Sequence, residues 1–147
     1  MGRRRGCEGA VSVVLLEGDH FPGIYLGDSW LSAIRAEPPG LCLYGEFHVL
    51  PEHPDYDGKQ PGEWGCYKLG RIVAENASEV RFKEPSHRAH LPSCFEVPIA
   101  FEDEEDQPEF EAATVEGQFL TVFLDQFEMT LRTDRVSLEI EVRDIGA

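Results

Sequence analysis

Apolar and polar side chains alternate with a period of two along much of this chain, most cleanly towards its C-terminal end. Phe127, Met129 and Leu131 alternate with Glu128, Thr130 and Arg132. Beyond Thr133-Asp134, Val136, Leu138, Ile140 and Val142 alternate with Ser137, Glu139, Glu141 and Arg143. Successive side chains of an extended strand point to opposite faces, so this spacing predicts two half-buried strands joined as an antiparallel hairpin. Gln118–Leu124 is more continuously apolar, which predicts a strand covered on both faces. Gly117 marks a turn or bulge before it, with Glu109–Val115 as the preceding strand.

Earlier segments have the same character. Ala10–Leu16 is rich in β-branched residues, and Ser29–Ala36 and Leu41–Leu50 flank the turn signal Pro38-Pro39-Gly40. Leu41, Leu43, Phe47 and Val49 share one parity, with Tyr44, Glu46 and His48 on the other. Glu63–Val73 and Glu79–Lys83 flank a turn at Asn76-Ala77-Ser78, and Phe95, Val97, Ile99 and Phe101 repeat the alternation. Pro98, of opposite parity, places that last strand at a sheet edge. No run of a dozen residues carries a helical stripe, although a short helix capped by Asp28 or Ser29 competes with a strand before Arg35. The expected fold is mainly β, or α+β with at most one or two short helices, built as an antiparallel sheet, sandwich or partly open barrel.

A length of 147 residues suits one domain with its own core. Residues 1–8 are expected to form a flexible basic tip and residues 9–147 a single β-rich domain. The polar stretches 51–62 and 102–111 are expected loops, the first of them mobile; neither separates two segments able to close separate cores. Trp30 and Trp64 have apolar neighbours and are assigned to the core in preference to an interface.

Charge carries the strongest signal in the composition. Thirteen Lys and Arg stand against 28 Asp and Glu, a net charge of −15, and Arg3, Arg4 and Arg5 hold three of the cations at one end. Self-repulsion of this size opposes binding to nucleic acid or anionic membranes and favours a cationic partner. The longest apolar run is too short to span a bilayer, and Arg3–Arg5 with Ala10–Leu16 lacks the small-residue cleavage site of a signal peptide. A cytoplasmic protein is therefore expected, with Cys7, Cys42, Cys66 and Cys94 as reduced thiols.

Candidate chemistry is sparse. His87, His90 and Cys94 are possible zinc ligands, spaced H-x-x-H-x-x-x-C in a Pro-rich stretch, but such a loop more often carries incidental histidines. His48 and His53 are weaker still, expected on an exposed strand face and on the mobile loop. Ser29, in Gly27-Asp28-Ser29-Trp30, lacks the second glycine of a nucleophile elbow. Gly65–Gly70 lacks the G-K-[ST] ending of a phosphate loop. No cofactor is implied. The surface offers more: seven carboxylates lie within Glu102–Glu111, and Glu102, Asp103, Glu104, Glu105 and Asp106 could steer a basic protein.

The segments Tyr25-Leu26-Gly27-Asp28-Ser29-Trp30-Leu31-Ser32-Ala33-Ile34 and Leu69-Gly70-Arg71-Ile72-Val73 through Phe82 resemble small β-rich bacterial proteins. These open on a His-Asp-Ser-x-Leu segment and include immunity-like proteins of contact-dependent toxin systems. Gly27 stands here where that pattern has histidine, and the matching stretches cover under half the chain. The resemblance implies a role in binding and blocking a protein partner and carries over no site residue. Two other classes compete with a non-catalytic binder: a small metal-dependent hydrolase using His87, His90 and Cys94, and an oligomerising subunit docking through the strand edge near Pro98.

Overall fold

The computed structural model describes residues 11–54, 56–58, 65–83, 99–101 and 103–141. The expected basic tip, Glu102, the His87–His90–Cys94 group, Pro98 and Trp64 lie outside these residues. Among the described residues the chain is mainly β, as its alternation predicts, with no α-helix. Strands β1 (Val11–Leu15), β2 (Ile24–Glu37), β3 (Gly40–Val49), β4 (Cys66–Glu75), β6 (Ile99–Ala100) and β10 (Arg135–Glu141) form one antiparallel sheet, ordered β1-β10-β4-β3-β2-β6. Strands β5 (Ser78–Lys83), β7 (Phe110–Glu116), β8 (Phe119–Leu124) and β9 (Glu128–Arg132) form the second, ordered β5-β9-β8-β7. The sheets do not close into a barrel. The segment between Asp28 and Arg35, where a helix competed, is strand.

One parity of each strand builds the core. Leu41, Leu43, Phe47 and Val49 of β3 meet Leu120, Val122 and Leu124 of β8 and Met129 and Leu131 of β9 in a single apolar cluster. Phe47 stacks on Phe110 with ring centroids 5.5 Å apart. Each such fully buried side chain stabilises the fold by roughly 1.5–3 kcal/mol, so the period of two is also the main energetic signal. In β8 the burial is one-sided: Phe119 is exposed and Thr121 and Phe123 are half-buried. The expected two-sided cover is absent because β8 lies in the smaller sheet, whose outer parity is open.

The expected C-terminal hairpin does not form. β9 pairs with β5 and β8, whereas β10 pairs with β1 and β4. Thr133-Asp134 therefore carries the chain from one sheet into the other. The link β4–β5 makes the same crossing beside it, so one long antiparallel ribbon bends through a shared corner. Asn76 and Glu79 adopt left-handed φ of 54° there. Buried Thr133 donates its hydroxyl to Glu75 O at 2.7 Å, and Asn76 Nδ2 donates to Asp134 Oδ2 at 2.8 Å. Alternation reports which face is buried, and both arms of a bent ribbon satisfy it as well as a hairpin does.

Among the described residues, no helix is long and apolar enough to cross a membrane.

Candidate functional site

The outer face of the six-stranded sheet carries the densest polar chemistry. Cross-strand register places Tyr25, His48 and Tyr67 side by side on β2, β3 and β4, with Trp30, Glu46 and Leu69 as the next row. Between these rows β2 bulges. Tyr25 pairs with His48 and Trp30 with Glu46, so five steps along β2 match two along β3. Such an excess unpairs backbone groups and re-aims side chains.

Ser29 repairs the gap. Its buried hydroxyl donates to Tyr25 O at 2.9 Å and accepts from the His48 amide at 3.0 Å, standing in for missing ladder partners. The hydroxyl is thereby spent on backbone, and His48 approaches it through its amide instead of its ring. Asp28, turned outwards by the bulge, takes the ring: its Oδ2 accepts from the Tyr67 hydroxyl and lies 2.9 Å from His48 Nδ1. Asp28 Oδ1 has no hydrogen-bond partner among the described residues. The rings make a continuous series around this carboxylate. Centroids are 5.8 Å apart for Tyr25–His48, 4.9 Å for His48–Tyr67 and 5.9 Å for Trp30–Tyr67. Gly65 lets His48 in, since a Cβ there would lie 2.4 Å from Nε2.

The segment leading into β7 closes one side of this cluster. Leu31 donates its amide to Pro108 O at 2.9 Å, and Trp30 forms an isolated bridge with Glu109. Burial raises the Glu109 carboxyl above its usual range, with Asp125, Asp28 and Glu111 adding like charge. The acidic run lies just ahead of Glu109 in the chain. Glu104–Asp106 form a 3-10 turn, and Asp103, Glu104, Glu105 and Asp106 are all exposed without a cation partner among the described residues. Gln107 Nε2 donates to Phe101 O, and Gln126 Nε2 to Asp106 O, tying the turn to the body.

Further along the same face, Arg71 forms a second polar centre. Its Nε donates to Glu139 at 2.9 Å, and its terminal nitrogen reaches Tyr44 Oη at 3.3 Å and Glu37 at 3.4 Å. These acceptors hold the guanidinium firmly charged despite its partial burial. Burial raises the Cys42 thiol, which makes it a poor nucleophile. Beside Arg71, a groove of about 420 Å³ is lined by Ser32, Tyr44, Leu69 and Glu139 over the Gly45–Gly70 pair.

Trp30 is half-buried on this outer face rather than in the core, because the bulge sets its parity with Glu46. His48 lies on the outer parity as expected. His53 is buried, not carried on a mobile loop. The segment packs against Gly23, whose left-handed backbone leaves room where a Cβ would lie 2.8 Å from His53 Cβ. Asp57 further pins it, accepting from Lys68 at 2.6 Å and Cys66 at 3.3 Å. Sequence reasoning missed the Asp28–His48–Tyr67 association; the glycines at 27, 45, 65 and 70 inside or beside strand patterns were its available signal.

Compared with known proteins, the chain matches no family model, no curated protein and no solved structure.

Proposed function

We propose that this protein is a small acidic binding protein that recognises and blocks a basic protein partner, in the manner of an immunity protein. The observation that carries this reading is the exposed turn of Asp103, Glu104, Glu105 and Asp106, which lacks a cation partner among the described residues. Carboxylates that spend no charge internally leave their field available to an approaching cation, and a chain of net charge −15 reinforces it. The turn is also anchored to the body through Gln107 and Gln126, so docking there costs less ordering entropy than docking on a free tail.

The test replaces Glu102, Asp103, Glu104, Glu105 and Asp106 together by their amides. Association with an oligolysine peptide is then followed by stopped flow at low and high salt. Steering predicts an on-rate at least about tenfold lower at low salt, with the difference collapsing at high salt. An unchanged on-rate and unchanged salt dependence would remove the acidic turn from the mechanism.

A further inference from the structure

We infer that the ring series around Asp28 is a slot for an arginine side chain of the partner. This rests on the basic-partner reading above and names the side chain and its receptor. Tyr25, His48, Tyr67 and Trp30 line an outward-facing carboxylate whose Oδ2 is already held by His48 and Tyr67. Among the described residues, that leaves Oδ1 as the acceptor a ligand can use. Glu109, bridged to Trp30, brings a second carboxylate to the rim. Flat π-faces beside two carboxylates suit a planar, weakly hydrated guanidinium, which stacks while its N–H groups donate in plane. An ammonium would gain the charge without the stacking.

Two features separate this slot from the rest of the surface. The Arg71 centre already contains its own guanidinium, held by Glu139, Glu37 and Tyr44, so its groove has no comparable demand for a cation. The slot also adjoins the acidic turn. Glu109 lies three positions beyond Asp106, at most about 11 Å of chain. Charge that steers a basic segment therefore delivers it next to the rings that would hold one of its side chains. Tyr25 is the accessible wall, 52% exposed, with its ring laid over Gly27.

The experiment compares an arginine-rich peptide with its lysine and citrulline counterparts on the full chain, reading affinity by calorimetry and ring contacts by NMR. The slot predicts arginine over lysine over citrulline, with shifts of the Tyr25, His48 and Trp30 ring signals on arginine binding. Tyr25→Ala removes an exposed wall that packs on His48 but makes none of the side-chain hydrogen bonds to Asp28. It should weaken the arginine peptide about three- to tenfold and the lysine peptide less. Glu109→Gln should weaken both. Equal binding of arginine and citrulline peptides, or wild-type arginine affinity in Tyr25→Ala, overturns the slot. If the slot fails while neutralising residues 102–106 still slows association, the basic-partner reading stands without it. If the wild-type chain binds neither cationic peptide, both readings fall.

Discussion

Replacing Ser29 by alanine asks whether one hydroxyl closes the break that the bulge opens between β2 and β3. The side chain is fully buried and makes two bonds to backbone, at 2.9 Å to Tyr25 O and 3.0 Å from the His48 amide. Each bond contributes only about 1 kcal/mol net, but removing the hydroxyl strands a carbonyl and an amide, each costing about 1–3 kcal/mol. Partial relaxation of the outer face reduces that sum, leaving an expected loss of about 2–4 kcal/mol. Urea unfolding measures it. With a slope of about 2 kcal/mol per molar, the midpoint should fall by roughly 1–2 M at unchanged slope. Ser32→Ala is the control, since that hydroxyl makes a single bond, at 3.1 Å to Tyr44 O, and its loss should cost about 1 kcal/mol or less. If Ser29→Ala costs no more than Ser32→Ala, the bulge is held by packing and the hydroxyl is incidental.

Changes at Gly45 and Glu109 probe the same face, with Gly117 as a control from the other sheet. A Cβ on Gly45 would lie 2.1 Å from Trp30 O, a backbone atom that cannot swing away, whereas one on Gly117 meets nothing within 4 Å and suffers only from its φ of +64°. Thermal melts should therefore show Gly45→Ala losing about 3 kcal/mol or more and Gly117→Ala about 1 kcal/mol. Glu109→Gln should stabilise the fold at neutral pH. Its folded pKa lies above the ordinary 4.5, so the native state binds the proton more tightly and stability falls as pH rises through that raised value. The gain should be complete near pH 7 and vanish below about pH 4.5. An equal gain at both pH values would mean that the carboxylate charge is not its source.

Fold class, and the side of most strands that faces inwards, were legible from local patterning alone. Leu41, Leu43, Phe47 and Val49 are buried and Tyr44, Glu46 and His48 face outwards, because alternation is a local property enforced by backbone geometry within each strand. Pairing is not local. Met129 and Leu138 obey one period of two yet lie in different sheets, since the turn at Thr133-Asp134 gains its partners, Glu75 and Gln118, from far away in the chain. The outer-face site was hidden for the same reason. His48 and Tyr67 lie 20 and 39 positions beyond Asp28, and the three surplus residues that aim Asp28 at its neighbours are visible only against the strand they fail to match. The acidic turn was legible as charge. That it adjoins the aromatic row was decided by the bridge from Trp30 to Glu109, the residue just ahead of β7.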